Sequence, residues 1–119
     1  MNVRFTADSI RCRLTSAEFD QLASGRAIEL VVALPRNHAF KINVRPSALN
    51  QWQLESDPTG IWITIPANEL KSFAEALPSK AGIERSFDLN DGSILVMIEV
   101  DVRKPREEGL ATENAKKSP

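Results

Sequence analysis

The sequence contains no tyrosine, one cysteine and one histidine among its 119 residues. A single cysteine cannot form an internal disulfide, so nothing favours an oxidising compartment. No apolar run approaches the roughly 18 residues that cross a bilayer. The first eight residues lack the apolar segment of a signal peptide and are typical of a strand. These absences predict a cytoplasmic protein with no membrane segment.

The composition is close to that of an average globular protein, with 42% hydrophobic and 26% charged residues. We expect one α+β domain over residues 1–102, followed by a disordered charged tail over 103–119. The net charge of −1 is unevenly distributed. Residues 1–50 carry a net charge of +3 and residues 51–102 carry −6. The first half of the chain is therefore basic and the second half is acidic.

Two segments of the chain resemble each other at a spacing of 51 residues. Both begin with an alternating apolar strand pattern and then change to the i, i+3, i+4 pattern of an amphipathic helix. The apolar residues that coincide are Ile10 with Ile61, Cys12 with Ile63, Leu14 with Ile65, Phe19 with Leu70, and Leu22 with Phe73. The shared change of period predicts a repeated unit.

Helix start and stop signals support this prediction. Thr15 and Glu18 fit a capping box, and Gly25 suits the left-handed residue that ends a helix. In the second copy, Pro66 suits a first helical turn, with Asn68 or Thr64 as the capping residue. Pro78 is expected to end the second helix after residue 77. Both helices should be short and depend on a sheet for stability.

Strand patterns flank each predicted helix. They cover residues 2–6, 27–34, 39–45, 51–55, 83–89 and 93–102, with 46–50 as the joint between the halves and residues 90–92 as a tight turn. The predicted fold is α+β, with a duplicated ββαββ unit over residues 1–46 and 50–102 related by a pseudo-twofold axis. We expect mostly antiparallel, curled sheets with the two short helices packed on one face.

The segment from Ser9 to Thr15, of sequence Ser-Ile-Arg-Cys-Arg-Leu-Thr, resembles a bacterial domain family of unknown function. Members of that family begin with a strand and a motif similar to Asn-Ser-Ile-Arg-Leu-Arg-Leu. Residues 94–101 are similar to the family's last strand, although Val102 and a basic tail stand where the family has an aromatic residue and a cysteine. The resemblance implies a domain of this family and assigns no activity.

The strand alternation places large apolar residues on the second face of the sheet. With the neighbouring residues pointing inward, Trp62, Leu95, Met97 and Val31 point outward. An apolar outer face favours association with another protein or a second copy, since Trp and Met are common in interfaces. The alternative is a sheet that curls into a barrel and buries this face without a partner.

Arginine residues occupy outward positions on the first strands. Arg11 and Arg13 flank Cys12, and Arg4 lies on the preceding strand, so the three are candidate contacts for an anion or an acidic partner. Lys41 and Arg45 would extend this basic stripe if their strand were a neighbour. The sequence has no glycine-rich phosphate loop and no aromatic RNA-binding motif, which disfavours nucleic acid as a partner and predicts no cofactor.

Other residues with reactive side chains give weaker signals. Cys12 alternates with apolar residues and is expected in the core. His38 stands alone in a predicted hairpin loop. Glu99 and Asp101 share one strand face and could form a carboxylate pair. The sequence thus favours a non-enzymatic protein-interaction or small-ligand-binding module that self-associates; the alternative is a small metal-dependent or acid/base enzyme that uses these acidic residues and His38.

Overall fold

The computed structural model describes residues 1–78 and 81–101. The predicted tail over residues 103–119 and the end of the last predicted strand at Val102 lie outside these residues. The elements follow one another in the order ββαββ and again ββαββ. They are β1 (Asn2–Thr6), β2 (Ser9–Leu14), α1 (Ser16–Ala23), β3 (Ile28–Leu34), β4 (His38–Ser47), β5 (Gln53–Asp57), β6 (Gly60–Pro66), α2 (Ala67–Ala76), β7 (Ile83–Leu89) and β8 (Gly92–Val100).

The eight strands form two four-stranded sheets, and the protein is a mixed α+β structure. The first sheet has the order β1-β2-β8-β7 and the second has the order β3-β4-β6-β5. Each sheet therefore contains one hairpin from each half of the chain. Hairpin partners are antiparallel, whereas the central pairs β2–β8 and β4–β6 are parallel. Four of the six strand pairs are antiparallel.

The inner faces of both sheets and the two helices share one apolar core. The strand residues Ile10, Cys12 and Leu14 alternate inward, and so do their counterparts on the other strands. Phe19 from α1 and Phe73 from α2 meet edge to face at a centroid distance of 5.4 Å and an angle of 82°. Because each helix is short, this burial provides most of its stability.

The first helix has the ends that its sequence predicts. The Thr15 hydroxyl accepts a hydrogen bond from the Glu18 amide at 3.1 Å, and Glu18 accepts one from the Thr15 amide at 2.9 Å. At the other end, Gly25 has a φ of 106°. The amides of Gly25 and Arg26 donate to the carbonyls of Leu22 and Gln21, which completes a Schellman motif. The predicted capping box and C-terminal glycine are confirmed.

The second helix differs from its prediction at the start. Its N-cap residue is Pro66, and no side chain caps it, so the prediction of Asn68 or Thr64 as the cap was wrong. The Thr64 hydroxyl instead accepts a hydrogen bond from Arg45 Nε at 3.1 Å. Thr64 lies inside β6, where its side chain faces the neighbouring strand. The helix ends at Ala76 with Leu77 as its C-cap, close to the predicted stop at Pro78.

Strand β4 continues through Pro46 to Ser47, beyond the predicted end at residue 45. Strand β3 reaches only as far as Val44 on one side of β4. One side of β4 is therefore an edge at Pro46, and proline is tolerated there because it interrupts no ladder. The predicted joint over residues 46–50 is accordingly shorter. In the part of the chain that the structure describes, neither helix is long and apolar enough to span a bilayer.

Candidate functional site

The outer face of the first sheet brings three arginine residues together, which we call the arginine face (Arg4, Arg11 and Arg13). Burial of Ile10 and Cys12 on the inner face of β2 forces the alternate residues outward. Arg4 on β1 lies directly opposite Arg11 on β2, and Arg13 follows two residues later on the same face. Strand pairing thus places two guanidinium groups side by side and a third next to them.

These side chains surround a small surface pocket. Its walls are Arg4, Arg11, Arg13 and Asn2, which lies opposite Arg13. The Arg11 and Arg13 side chains are 43% and 52% exposed, so their guanidinium groups remain accessible to solvent. The sequence analysis predicted the three arginines, and the structure places them together. It did not predict Asn2, because an asparagine near the chain start gives no pattern of its own.

The carboxylate of Glu99 on β8 forms ion pairs with two of the three arginines. Arg11 Nε lies 3.0 Å from Glu99 Oε2, and Arg13 Nη2 lies 3.6 Å from Glu99 Oε1. Arg4 forms no ion pair within residues 1–78 and 81–101. The three arginines and Glu99 together carry a local charge of about +2. Guanidinium groups in this arrangement suit an anion with several oxygen atoms, because each presents forked N–H donors.

The structure does not assemble the alternative acidic site. Glu99 is engaged by the arginines, and Asp101 follows the end of β8, where its amide donates to the Leu14 carbonyl at 2.8 Å. His38 begins β4 in the other sheet and is exposed. Among the described residues, no three His, Cys, Asp or Glu side chains lie close enough together to hold a metal ion. These residues therefore do not converge on one cleft.

The predicted apolar candidates are divided between the two sheets. Leu95 and Met97 lie on β8 beside the arginine face, opposite Ser9 and Arg11 respectively. Trp62 and Val31 belong to the second sheet instead. Trp62, Leu95 and Met97 are partly buried, whereas Val31 is exposed. The four residues do not form one patch. The two sheets remain separate with open edges, so the described strands do not close into a barrel.

The outer face of the second sheet has a different character. Trp62 lies between Asn43 and Glu55 and lines an open groove together with Arg45, Glu55, Ser56 and Asp57. Arg45 Nη2 lies 3.5 Å from Glu55 Oε1. Strand β4 is not a neighbour of β1 or β2, so Lys41 and Arg45 do not extend the arginine face. The condition for a continuous basic stripe, that these strands are neighbours, is therefore not met.

Hydrogen bonds within the hairpin between β5 and β6 hold the exposed carboxylate of Asp57 in one position. The hydroxyl and the amide of Thr59 donate to Asp57 Oδ1 at 2.6 and 2.7 Å. These hydrogen bonds hold the pKa of Asp57 below its ordinary value. At this end of the groove, Asp57 therefore adds negative charge, in contrast to the arginine face.

Cys12 is fully buried on the inner face of β2, as its alternation predicts. Burial raises the pKa of its thiol to about 12, while the N-terminal ammonium group acts in the opposite direction. A thiol with this pKa is protonated at neutral pH and is a poor nucleophile. Cys12 is thus a small core residue.

Within residues 1–78 and 81–101, two buried polar side-chain atoms have no hydrogen-bond partner, and neither was predicted. They are Asn43 Oδ1, on the outer face beside Trp62, and Trp52 Nε1, at the rim of the core. Asn43 Nδ2 donates to Glu29 at 3.2 Å, which leaves its oxygen directed elsewhere. Both residues lie inside predicted strands, where the alternation of side chains gives no signal that a polar atom will be buried without a partner.

The sequence matches one family model over residues 1–112, and the description of that model is a family of unknown function, DUF7009. No curated protein matches the chain. The matched span covers all of the described residues, including the arginine face and both sheets. The chain belongs to the family DUF7009.

Proposed function

We propose that this protein is a small, non-enzymatic binding module that holds an anionic group of a small ligand or partner on its arginine face. The observation that carries the proposal is the convergence of Arg4, Arg11 and Arg13 on one pocket, where Glu99 is the one described carboxylate that forms ion pairs with them. Arginine remains charged at all physiological pH values and binds phosphate or carboxylate oxygens in pairs. An oxygen-rich anion, such as a phosphate or a carboxylate, therefore suits this pocket.

Glu99 positions the arginines before a ligand arrives. Its side chain is only 16% exposed, one oxygen accepts a hydrogen bond from Arg11 Nε and the other lies 3.6 Å from Arg13 Nη2, and the other N–H groups of both arginines have no partner in the described part of the chain. Because these side chains are held in advance, an incoming anion loses less affinity to the ordering of flexible arginines. Leu95 and Met97 adjoin the site on β8 and supply apolar contact for the rest of a ligand.

The architecture supports a duplicated ββαββ unit with pseudo-twofold symmetry, which we propose as the origin of the fold. Each pairing between β2 and β8 has a counterpart between β6 and β4, obtained by adding 51 to the β2 residue and subtracting 54 from the β8 residue. Ile10 faces Val96 as Ile61 faces Ile42. Cys12 faces Ile98 as Ile63 faces Val44. The two sheets then consist of hairpins exchanged between repeats.

Titration calorimetry with inorganic phosphate and with pyrophosphate tests the proposed binding. Phosphate replaces chloride at constant ionic strength, so that general screening stays fixed. We expect saturable binding that Arg4→Gln weakens about tenfold, because a charge-assisted hydrogen bond is worth roughly 1.5–3 kcal/mol. Arg26→Gln, at an exposed position after α1, is the matched control and should bind as the unmodified protein does.

Two results would contradict the proposal. One is the absence of saturable binding for both anions. The other is equal weakening by Arg4→Gln and Arg26→Gln, which would show that binding follows net charge and not the pocket. Thermal unfolding of each variant verifies that the fold is retained, since both side chains are exposed.

A further inference from the structure

Strand β3 forms an open edge of the second sheet and is apolar on both faces. It pairs with β4 on one side, and no other described element pairs with it on the other. Its last five residues, Leu30 to Leu34, carry no charge. Val31, Val32 and Leu34 are 52%, 40% and 46% exposed. An exposed apolar edge presents unpaired N–H and C=O groups that readily accept another strand.

The other three edge strands are protected by charged side chains. Strand β1 carries Arg4, and β5 carries Glu55 and Asp57. Strand β7 carries both signs of charge at Glu84, Arg85 and Asp88. Charged residues on an edge are a common protection against edge-to-edge pairing. Among the described edge strands, β3 alone has five consecutive exposed or partly buried residues without a charge.

The contrast is sharpest between β3 and β7, which occupy corresponding places in the two halves. Both strands begin with Ile-Glu and end with Leu over seven residues. The central residues of β3 are all apolar, whereas three of the four corresponding residues of β7 are polar or charged. The substitutions from β3 to β7 are Leu30 to Arg85, Val31 to Ser86, Val32 to Phe87, and Ala33 to Asp88. The third strand of each half is therefore an edge strand, which charged residues protect in β7 but not in β3.

We infer that β3 is a self-association edge, through which two copies of the chain pair antiparallel, β3 against β3. The two second sheets would then join into one continuous sheet of eight strands. This inference stands on the β3 edge alone and does not depend on the proposed anion binding. The arginine face lies in the other sheet and stays accessible in such a dimer.

An extended strand that is uncharged and apolar on both faces suits this edge, because it brings no unpaired charge into the interface. A second β3 meets these requirements and satisfies both edges at once, as a twofold interface does. The only charged residue of β3 is Glu29, near one end of the strand. Antiparallel pairing therefore places the two Glu29 side chains at opposite ends. Self-pairing of β7 would instead place its three charged residues within one interface.

Sedimentation equilibrium of the full chain, from low micromolar to submillimolar concentration, measures the association. We expect a reversible monomer–dimer equilibrium that Ala33→Asp weakens about tenfold or more, because like charges across an interface are strongly unfavourable. Ala33 is exposed, and Asp is the residue at the corresponding position of β7, so the fold should be retained. Ser56→Asp on the edge strand β5 adds the same charge and is the control.

Hydrogen exchange distinguishes the dimer from other ways of covering the edge. In the dimer, the β3 amides that point away from β4 become protected as protein concentration rises. A protein that stays monomeric at every concentration overturns the inference. Protection of these amides that does not change with concentration also overturns it, because another part of the same chain would then occupy the edge. An equal effect of Ala33→Asp and Ser56→Asp contradicts the role of β3.

Discussion

At four matching positions, the outer faces of the two sheets carry different side chains on the same strand arrangement. In the first sheet, Arg4 on the edge strand lies opposite Arg11, and the neighbouring strand contributes the carboxylate of Glu99. In the second sheet, an acidic side chain lies opposite an aromatic one, beside a single arginine. The corresponding residues are Arg4, Arg11, Arg13 and Glu99 in the first sheet and Glu55, Trp62, Thr64 and Arg45 in the second.

On the inner faces of the same strands, in contrast, the matching positions carry similar apolar side chains. Cys12 and Ile63 occupy corresponding positions, and both are fully buried, as are Leu14 and Ile65. The core requires apolar side chains of suitable size, whereas the outer face imposes no such requirement. The fold therefore fixes which side chains point outward, and the identity of those side chains determines the chemistry that each outer face presents.

Truncation of matched core residues gives the largest expected effect. Leu14→Ala and Ile65→Ala should each lower the free energy of unfolding by about 2–5 kcal/mol, because each leaves a cavity in a close-packed core. Urea denaturation measures both. Leu49→Ala is the control, since Leu49 is 64% exposed and its loss should change stability by less than about 0.5 kcal/mol. A large loss for only one core variant would contradict the equivalence of the two halves.

The helix starts provide a second, smaller contrast. Thr15→Ala should lower the free energy of unfolding by about 1 kcal/mol, because it removes the hydroxyl that accepts from the Glu18 amide. Asn68→Ala in α2 should cost less than about 0.5 kcal/mol, since no side chain caps that helix. Both values come from urea denaturation. If Asn68→Ala cost as much as Thr15→Ala, the assignment of Pro66 as an uncapped start would be wrong.

Removal of the carboxylate at the arginine face should strengthen anion binding. Glu99→Gln eliminates the charge that engages Arg11 and Arg13, and the local charge rises from about +2 to about +3. We expect the affinity for inorganic phosphate to increase roughly threefold at low salt and less at high salt. Arg45→Gln in the second sheet is the control and should leave the affinity unchanged. Weaker binding by Glu99→Gln would show that positioning of the arginines outweighs their charge.

The pH dependence of stability tests the ion pair at α1. The N-terminal ammonium group lies 2.6 Å from Glu18 Oε2. Partial burial acts to raise the pKa of Glu18, but the hydrogen bonds from this ammonium group and from Thr15 outweigh it, and the pKa lies below 4.5. The stabilisation should be complete above pH 4.5 and disappear as the pH falls through the lowered pKa.

Comparison with Glu18→Gln isolates this contribution. The difference in stability between the two proteins should be constant near neutral pH and shrink below pH 4.5. Glu69→Gln, in the first turn of α2, is the control because Glu69 forms no ion pair among the described residues. A difference for Glu18→Gln that persists unchanged at acid pH would contradict the ionic origin of the effect.

Local signals in the sequence predicted much of the secondary structure. The capping box at Thr15, the glycine after α1 and the inward alternation around Cys12 each depend on residues close in the chain, and each was found. The prediction for α2 failed because Thr64 was assigned to a helix cap, whereas it lies inside β6. Whether a strand ends before its helix depends on the neighbouring strand, which local patterns do not reveal.

The arrangement of strands into sheets was beyond prediction from local patterns. The parallel pairing of β2 with β8 joins residues almost ninety positions apart, and no turn sequence specifies it. For this reason Trp62 and Met97 were predicted to share one patch although they lie in different sheets. The placement of Arg4 beside Arg11 could be predicted because the two residues belong to one hairpin, whose register a short loop determines.

A phosphate titration followed by two-dimensional amide NMR compares the two outer faces in a single experiment. Saturable shifts confined to β1, β2 and the facing part of β8, with none at Glu55, Trp62 or Thr64, are the predicted result. Shifts of similar size on both sheets, or none on the strands that carry the three arginines, would show that the first sheet does not form an anion site.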